Sequence, residues 1–287
     1  MRREAFLKLG MTAAAMPWLV SCSSDAETFA ALSVGTFSRG LIPEMEQSGY
    51  GHLELSVTED LMPARPEEDF EKHLAVLKKL KIRCHHMNNF INPSIKMVGP
   101  DVAVDKIVSW AKTTFARAER AGVNYITIGA GKPRKVPEGF EPAKARAQLS
   151  AIFARILPMA NDHGVTLAME NLNSGETNLG NTLLECLEIV EVAGPKMKLT
   201  ADIFHMMREK ESPASLMKAA SRLTHCHIAE REKRTPPGTA SDDFRPYLHE
   251  LRAMKYRGAF SFECGWGEGR ASLARAISVF REQLRTC

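Results

Sequence analysis

Four side chains of metal-ligand type each close a short apolar run in the second half of the chain: Glu170 ends LAME, Asp202 ends LTAD, His227 sits in THCHIA and Glu263 ends FSFE. A carboxylate built into a buried strand is costly unless it is paired or binds a cation. The separations are 32, 25 and 36 residues, each about one strand-plus-helix unit, so the four residues come from successive strands and converge. Any one alone reads better as a cap or an ion-pair partner; the four together favour a shared cation. Three carboxylates and one imidazole make a mostly hard, oxygen-rich set, suited to one divalent ion. Mn²⁺ is the first expectation, with Mg²⁺, Co²⁺ or Zn²⁺ as alternatives.

The elements that must hold these residues repeat eight times from about residue 30. The strand-like runs are 31–37, 52–57, 82–87, 124–129, 166–171, 197–202, 223–229 and 259–264, each followed by a helix-length segment. Residues 101–121 show helical spacing at Val104, Ile107, Val108, Ala111, Phe115 and Ala118, with Asp101 as candidate N-cap and Gly122 as the stop. Segments 141–163 and 179–193 read the same way. Strand, helix, strand implies a parallel sheet, and eight units predict a single (β/α)8 barrel over 30–287 with its site at the strand C-termini. A doubly wound open sheet is the alternative, but no glycine-rich phosphate loop follows the first run.

The first 21 residues read as an export signal. Arg2, Arg3 and Lys8 precede an uncharged stretch, 9–21, and Leu19-Val20-Ser21-Cys22 resembles a lipoprotein cleavage box with Cys22 as the lipidated residue. About 13 residues fall short of the roughly 20 that span a bilayer. Arg2-Arg3 also resembles a twin-arginine signal, with one extra residue before Phe6; a buried N-terminal helix is the other reading. A short linker, 22–29, would follow, and the product would be exported, periplasmic or membrane-anchored. Lys plus Arg number 38 against 34 Asp plus Glu, a balance that excludes a phosphate-tracking surface, so nucleic acid is not an expected partner. The remaining cysteines, 84, 186, 226, 264 and 287, show no CxxC spacing and odd parity, so no disulfide framework is expected.

At the quartet the chain resembles the xylose-isomerase-like barrel superfamily, which includes sugar phosphate isomerases/epimerases, ketose 3-epimerases, inosose dehydratase and endonuclease IV; the likeness covers residues 30–287. In the ketose 3-epimerase branch a Glu, Asp, His, Glu quartet holds one metal, which the resemblance places at Glu170, Asp202, His227 and Glu263. It further implies substrate contacts at Glu176, six residues after Glu170, and at His205, three after Asp202. The family Arg six positions after the metal-binding His is Lys233 here, with Arg234 next; Lys lacks the bidentate fork of Arg. The resemblance implies a sugar isomerase/epimerase acting on a small carbohydrate or polyol: shifting a proton beside a carbonyl needs an electrophile at the oxygen and a base on each face of the enediolate, and Glu170 and Glu263 would be those two bases.

His86 and Trp266 are further candidates for substrate contact, His85, His225 and Glu54 for supporting roles, and Lys132, Arg134 and Lys135 read as a solvated loop. Endonuclease IV chemistry needs three zinc ions and further His and Asp ligands, and strand 4 here ends in Gly129-Ala130-Gly131 with no His. A lyase or dehydratase acting on a keto-inositol or 3-keto-glycoside is the enzymatic rival, since it uses the same enolisation and then expels a leaving group. A non-catalytic sugar-binding lipoprotein is the third reading. A membrane is an expected partner through the lipid anchor alone, and a homo-oligomer is compatible with the sequence.

Overall fold

The computed structural model describes Phe29 and residues 34–36, 39–267 and 269–287. The expected signal segment with Arg2 and Arg3, the lipidation site Cys22 and the linker up to residue 28 lie outside the described residues. Eight parallel strands close in sequence order: β1 (Val34–Thr36), β2 (His52–Ser56), β3 (His86–Asn88), β4 (Tyr125–Ile128), β5 (Thr166–Glu170), β6 (Lys198–Asp202), β7 (Leu223–Ile228) and β8 (Ala259–Phe262). The last strand pairs back on the first, Gly35 opposite Ser261. This is the expected barrel, and ring closure excludes the open sheet.

The third run departs from expectation. It pairs as a strand over His86–Asn88, not 82–87, because the chain enters through single hydrogen bonds rather than a ladder: the Arg83 carbonyl accepts from Leu53 N at 2.7 Å and the His85 carbonyl from Tyr125 N at 3.1 Å.

The helices are α1 (Ile42–Gln47), α2 (Glu67–Leu77), α3 (Val104–Ala121), α4 (Gly131–Arg134), α5 (Pro142–Asp162), α6 (Leu183–Ala193), α7 (Ile203–Arg208), α8 (Ala214–Lys218), α9 (Arg245–Ala253) and α10 (Arg270–Thr286). α3 buries Ile107, Ala111, Phe115 and Ala118, the face that its spacing predicts. Its N-cap is Ala103 without a side-chain bond; Asp101 is exposed in the preceding loop. α6 starts late, at Leu183, because Thr182 caps it by accepting from Glu185 N at 3.1 Å.

Successive strand residues face opposite sides. The outward set, including Leu53, Met87, Ile126, Leu167, Leu199, Ile228 and Phe260, is buried and apolar beneath the helices. The inward set is polar and buried: His52, Glu54, His86, Asn88, Thr127, Thr200, His225 and Ser261. Such an interior persists only if its groups are paired. His52 Nε2 lies 3.0 Å from Ser261 Oγ, Thr127 Oγ1 3.0 Å from Thr200 Oγ1, and the Tyr125 hydroxyl 3.0 Å from Thr224 Oγ1. Gly35 makes room at the first strand, since a β-carbon there would overlap the His52 ring. Cys186 and Cys226 are buried, Cys84, Cys264 and Cys287 half-buried, and none of the five forms a disulfide among the described residues. Among the described residues no helix is long and apolar enough to cross a membrane.

Candidate active site

Glu170 and Asp202 are the last residues of β5 and β6, His227 is the fifth residue of β7, and Glu263 follows β8 directly. One ligand atom from each lies within 4.8 Å of the others. His227 Nδ1 contacts Glu170 Oε1 and lies 2.9 Å from Glu263 Oε2. Asp202 also caps α7, its Oδ1 accepting from His205 N at 3.2 Å, which fixes the carboxylate where strand turns into helix. Asn171 clips β5 to β6: its side-chain amide donates to the Asp202 carbonyl at 3.1 Å, and its Oδ1 accepts from Asp202 N at 2.9 Å.

Three carboxylates meet here against Arg234 and His227. Burial pushes the Glu170 carboxyl up, to about 8, against the pull of His227, and Glu263 adds to the rise. Burial would raise Glu263 too, but the Arg234 guanidinium and then His227 outweigh it and hold that group at about 2. His227 would be lowered by burial, and the charges of Glu170 and Glu54 override this, keeping it well above an ordinary imidazole. Asp202 Oδ2 and Glu263 Oε2 are buried without a hydrogen-bond partner, although Arg234 and His227 lie within ion-pair distance of them. Orphaned carboxylate oxygens converging with an imidazole, and a glutamate raised by burial and by the neighbouring Glu263, fit a divalent cation.

The expected substrate residues divide. His205 is buried, and its Nδ1 accepts from Asn173 N at 3.0 Å, so its proton sits on Nε2. That Nε2 has no hydrogen-bond partner and lies 3.4 Å from Asp202 Oδ2 and 3.9 Å from Glu176 Oε1. Burial also lowers its pKa, so the ring is neutral. Of the two basic candidates, Arg234 reaches the site: its guanidinium lies 3.0 Å from Glu263 Oε1 and 3.4 Å from Glu176 Oε1, and it stacks over the Phe204 ring at 4.9 Å. Lys233, the residue at the family spacing, is exposed. The intervening backbone explains the shift, because Arg234 adopts a φ of 51° while its carbonyl accepts from Gly265 N at 2.9 Å.

His86 does not sit with the quartet. It is buried in the barrel interior, stacked at 4.6 Å on the His225 ring and tilted at 4.7 Å to His52. Trp266 is partly buried against the core, its ring 6.4 Å from that of Phe262. Arg134 is corrected as well: it is fully buried, not solvated, and donates to the Glu170 carbonyl at 2.7 Å. Asn171, Asn173 and Phe204 were missed by sequence reasoning, for which Asn beside a ligand, as in MEN and NLN, is a weak signal.

The family model described as "xylose isomerase-like TIM barrel" matches residues 42–283. An L-ribulose 3-epimerase of Methylomonas sp. (strain DH-1) is 29% identical over 235 residues, 79% of this chain and 78% of that protein. Among solved structures, D-allulose 3-epimerase from Methylomonas sp. in complex with D-allulose superposes with a TM-score of 0.74 at 21% identity, covering 88% of this chain and 97% of that one. The 3-keto-D-glucoside 4-epimerase from E. coli superposes with a TM-score of 0.71 at 17% identity, covering 89% and 100%. At such identities the structural likeness establishes the shared barrel.

Proposed function

The chain belongs to the xylose isomerase-like TIM barrel family, and from that premise we propose that it is a sugar epimerase/isomerase that depends on one divalent metal and moves a proton on the carbon beside a ketone through an enediolate. The observation that carries this reading is the meeting of Glu170 and Glu263 at one imidazole nitrogen, His227 Nδ1, from strand ends on different sides of the site.

Glu170, Asp202, His227 and Glu263 would hold the ion, Mn²⁺ as our first assignment. Once bound, it supplies an electrophile that polarises the substrate carbonyl. Glu170 and Glu263 flank the substrate carbon, so one carboxylate removes the proton and the other returns a proton on the opposite face. His205 donates its Nε2–H to a substrate hydroxyl, and Glu176 accepts from one. Arg234 keeps Glu263 ionised and offers its remaining N–H groups to substrate oxygens. Asn171 and the buried Arg134 hold the ends of β5 and β6 in place, so the carboxylates are preorganised before the substrate arrives.

Free ketoses and 3-keto-glycosides are the substrate classes to test, since the similar proteins named above are called 3-epimerases in one case and a keto-glucoside 4-epimerase in the other. We also propose export as a lipoprotein, on the strength of Arg2, Arg3 and the Leu19-Val20-Ser21-Cys22 box.

The deciding experiment incubates the Mn²⁺-loaded protein with free ketoses, inososes and 3-keto-glycosides in D₂O and follows them by NMR. Deuterium gained beside the carbonyl together with a new isomer supports the proposal. An unsaturated product or a released aglycone overturns it in favour of a lyase, and metal binding without turnover on all three classes favours a binding protein.

A further inference from the structure

The reaction above makes no use of Glu54, yet this residue is fully buried in the barrel interior. It comes from β2, across the barrel from the quartet, and bridges two imidazoles of β7: Oε1 lies 3.2 Å from His227 Nε2 and Oε2 lies 2.9 Å from His225 Nε2. We propose that Glu54 is a positioning residue for the metal: it holds the His227 proton on Nε2 and thereby turns the Nδ1 lone pair towards the cation gripped by Glu170, Asp202 and Glu263. The inference rests on the metal-dependent reading above.

The chemistry is directional. An ionised carboxylate only accepts hydrogen bonds, so each facing imidazole nitrogen must donate. A neutral imidazole with its proton on Nε2 carries its lone pair on Nδ1. In His227, Nδ1 is the nitrogen against Glu170 Oε1 and 2.9 Å from Glu263 Oε2, where a bound cation would take the place of the proton that the ring shares with those carboxylates. His225 contributes by holding the second oxygen, which stops the carboxylate from rotating away. The His225 ring is itself wedged between His86, at 4.6 Å, and Tyr125, at 5.3 Å. A carboxylate behind a ligating histidine fixes its ring orientation and raises its basicity, and losing such a partner costs on the order of 10- to 100-fold in metal affinity. A purely packing role for Glu54 would lower stability and leave metal affinity alone.

The test compares the full chain with its Glu54→Gln variant, measuring Mn²⁺ affinity by competition with a chelating dye alongside circular dichroism and Tm without metal. The expected result is a Kd weakened about 10- to 100-fold with the fold retained. Equal Kd values for the two proteins overturn the inference while leaving the function intact; a wild-type protein that binds neither Mn²⁺, Co²⁺ nor Zn²⁺ overturns the metal-dependent reading and this inference with it. If the variant does not fold, ¹⁵N NMR of the wild type loaded with Zn²⁺ decides: a proton on His227 Nε2 with metal on Nδ1 supports the inference, and metal on Nε2 overturns it.

Discussion

Gly129, just past the end of β4, leaves the space that the Glu170 carboxylate occupies: a β-carbon at residue 129 would overlap Glu170 Oε2 and lie 2.6 Å from Asn88 Oδ1. The close approach ties a backbone without a side chain on one strand end to a proposed catalytic group on the next.

Gly129→Ala should therefore displace Glu170 without unfolding the barrel. A shift of about 1 Å in a reacting group costs on the order of 100-fold in rate. We expect kcat/KM to fall by about that factor, with near-native circular dichroism; an unaffected rate would show that Glu170 tolerates displacement.

Glu170→Gln and Glu263→Gln each remove one of the two opposed bases. Loss of a general base costs about 10²- to 10⁴-fold, so interconversion of the two epimers should fall by that factor in both variants while Tm stays near that of the wild type. Retained turnover in either single variant would remove that residue from the mechanism.

Arg234 and Lys233 are neighbours in sequence, but only Arg234 meets the carboxylates. Arg234→Lys keeps the charge and loses the fork, and should raise KM about 10-fold, roughly 1.4 kcal/mol. Lys233→Ala should stay within about twofold by the same steady-state assay, as expected of an exposed side chain. The reverse pattern would restore Lys233 as the substrate contact.

His52 makes stability depend on pH. Burial, then the like charge of His225, lowers its pKa from the usual value to about 3, so it is neutral in the folded protein. The unfolded chain then binds more protons between about pH 6.5 and 3. The contribution is intact above pH 6.5 and is lost as the pH falls through that window. Glu170, raised in the fold, acts in the opposite sense, because its contribution is lost as pH rises towards about 8. Comparing the wild type with His52→Gln isolates one group. Denaturant midpoints from pH 7 to 4 should show a shallower acid decline in the variant, by up to about 1.4 kcal/mol per pH unit; identical slopes would show that His52 is protonated in the fold.

Export is testable without the barrel's activity. Cys22→Ser should abolish labelling by radioactive fatty acid, and changing Arg2 and Arg3 to Lys should block secretion of a fused reporter that depends on the twin-arginine route. Transport that persists in the Lys variant assigns the signal to the general route.

The residue pattern alone determined the alternation of strands and helices and the quartet. Eight alternations of strand-length apolar runs and helical patterning predict a parallel barrel with an open sheet as the alternative, and the pairing of the last strand with the first decides for the barrel; ligand-type residues at successive strand ends then converge, since all strand C-termini share one rim. Only the tertiary structure decided which neighbours join them. Arg234 rather than Lys233 enters because the chain turns at a φ of 51° around Glu230, whose buried carboxylate accepts from Thr235 Oγ1 at 2.8 Å and Gly238 N at 2.9 Å. Arg134 turns inward, and Glu54 reaches His225 and His227 from 171 and 173 residues away. Side-chain spacing along a strand is a local property that sequence records directly, whereas loop dihedrals and contacts across the barrel depend on closure of the whole ring.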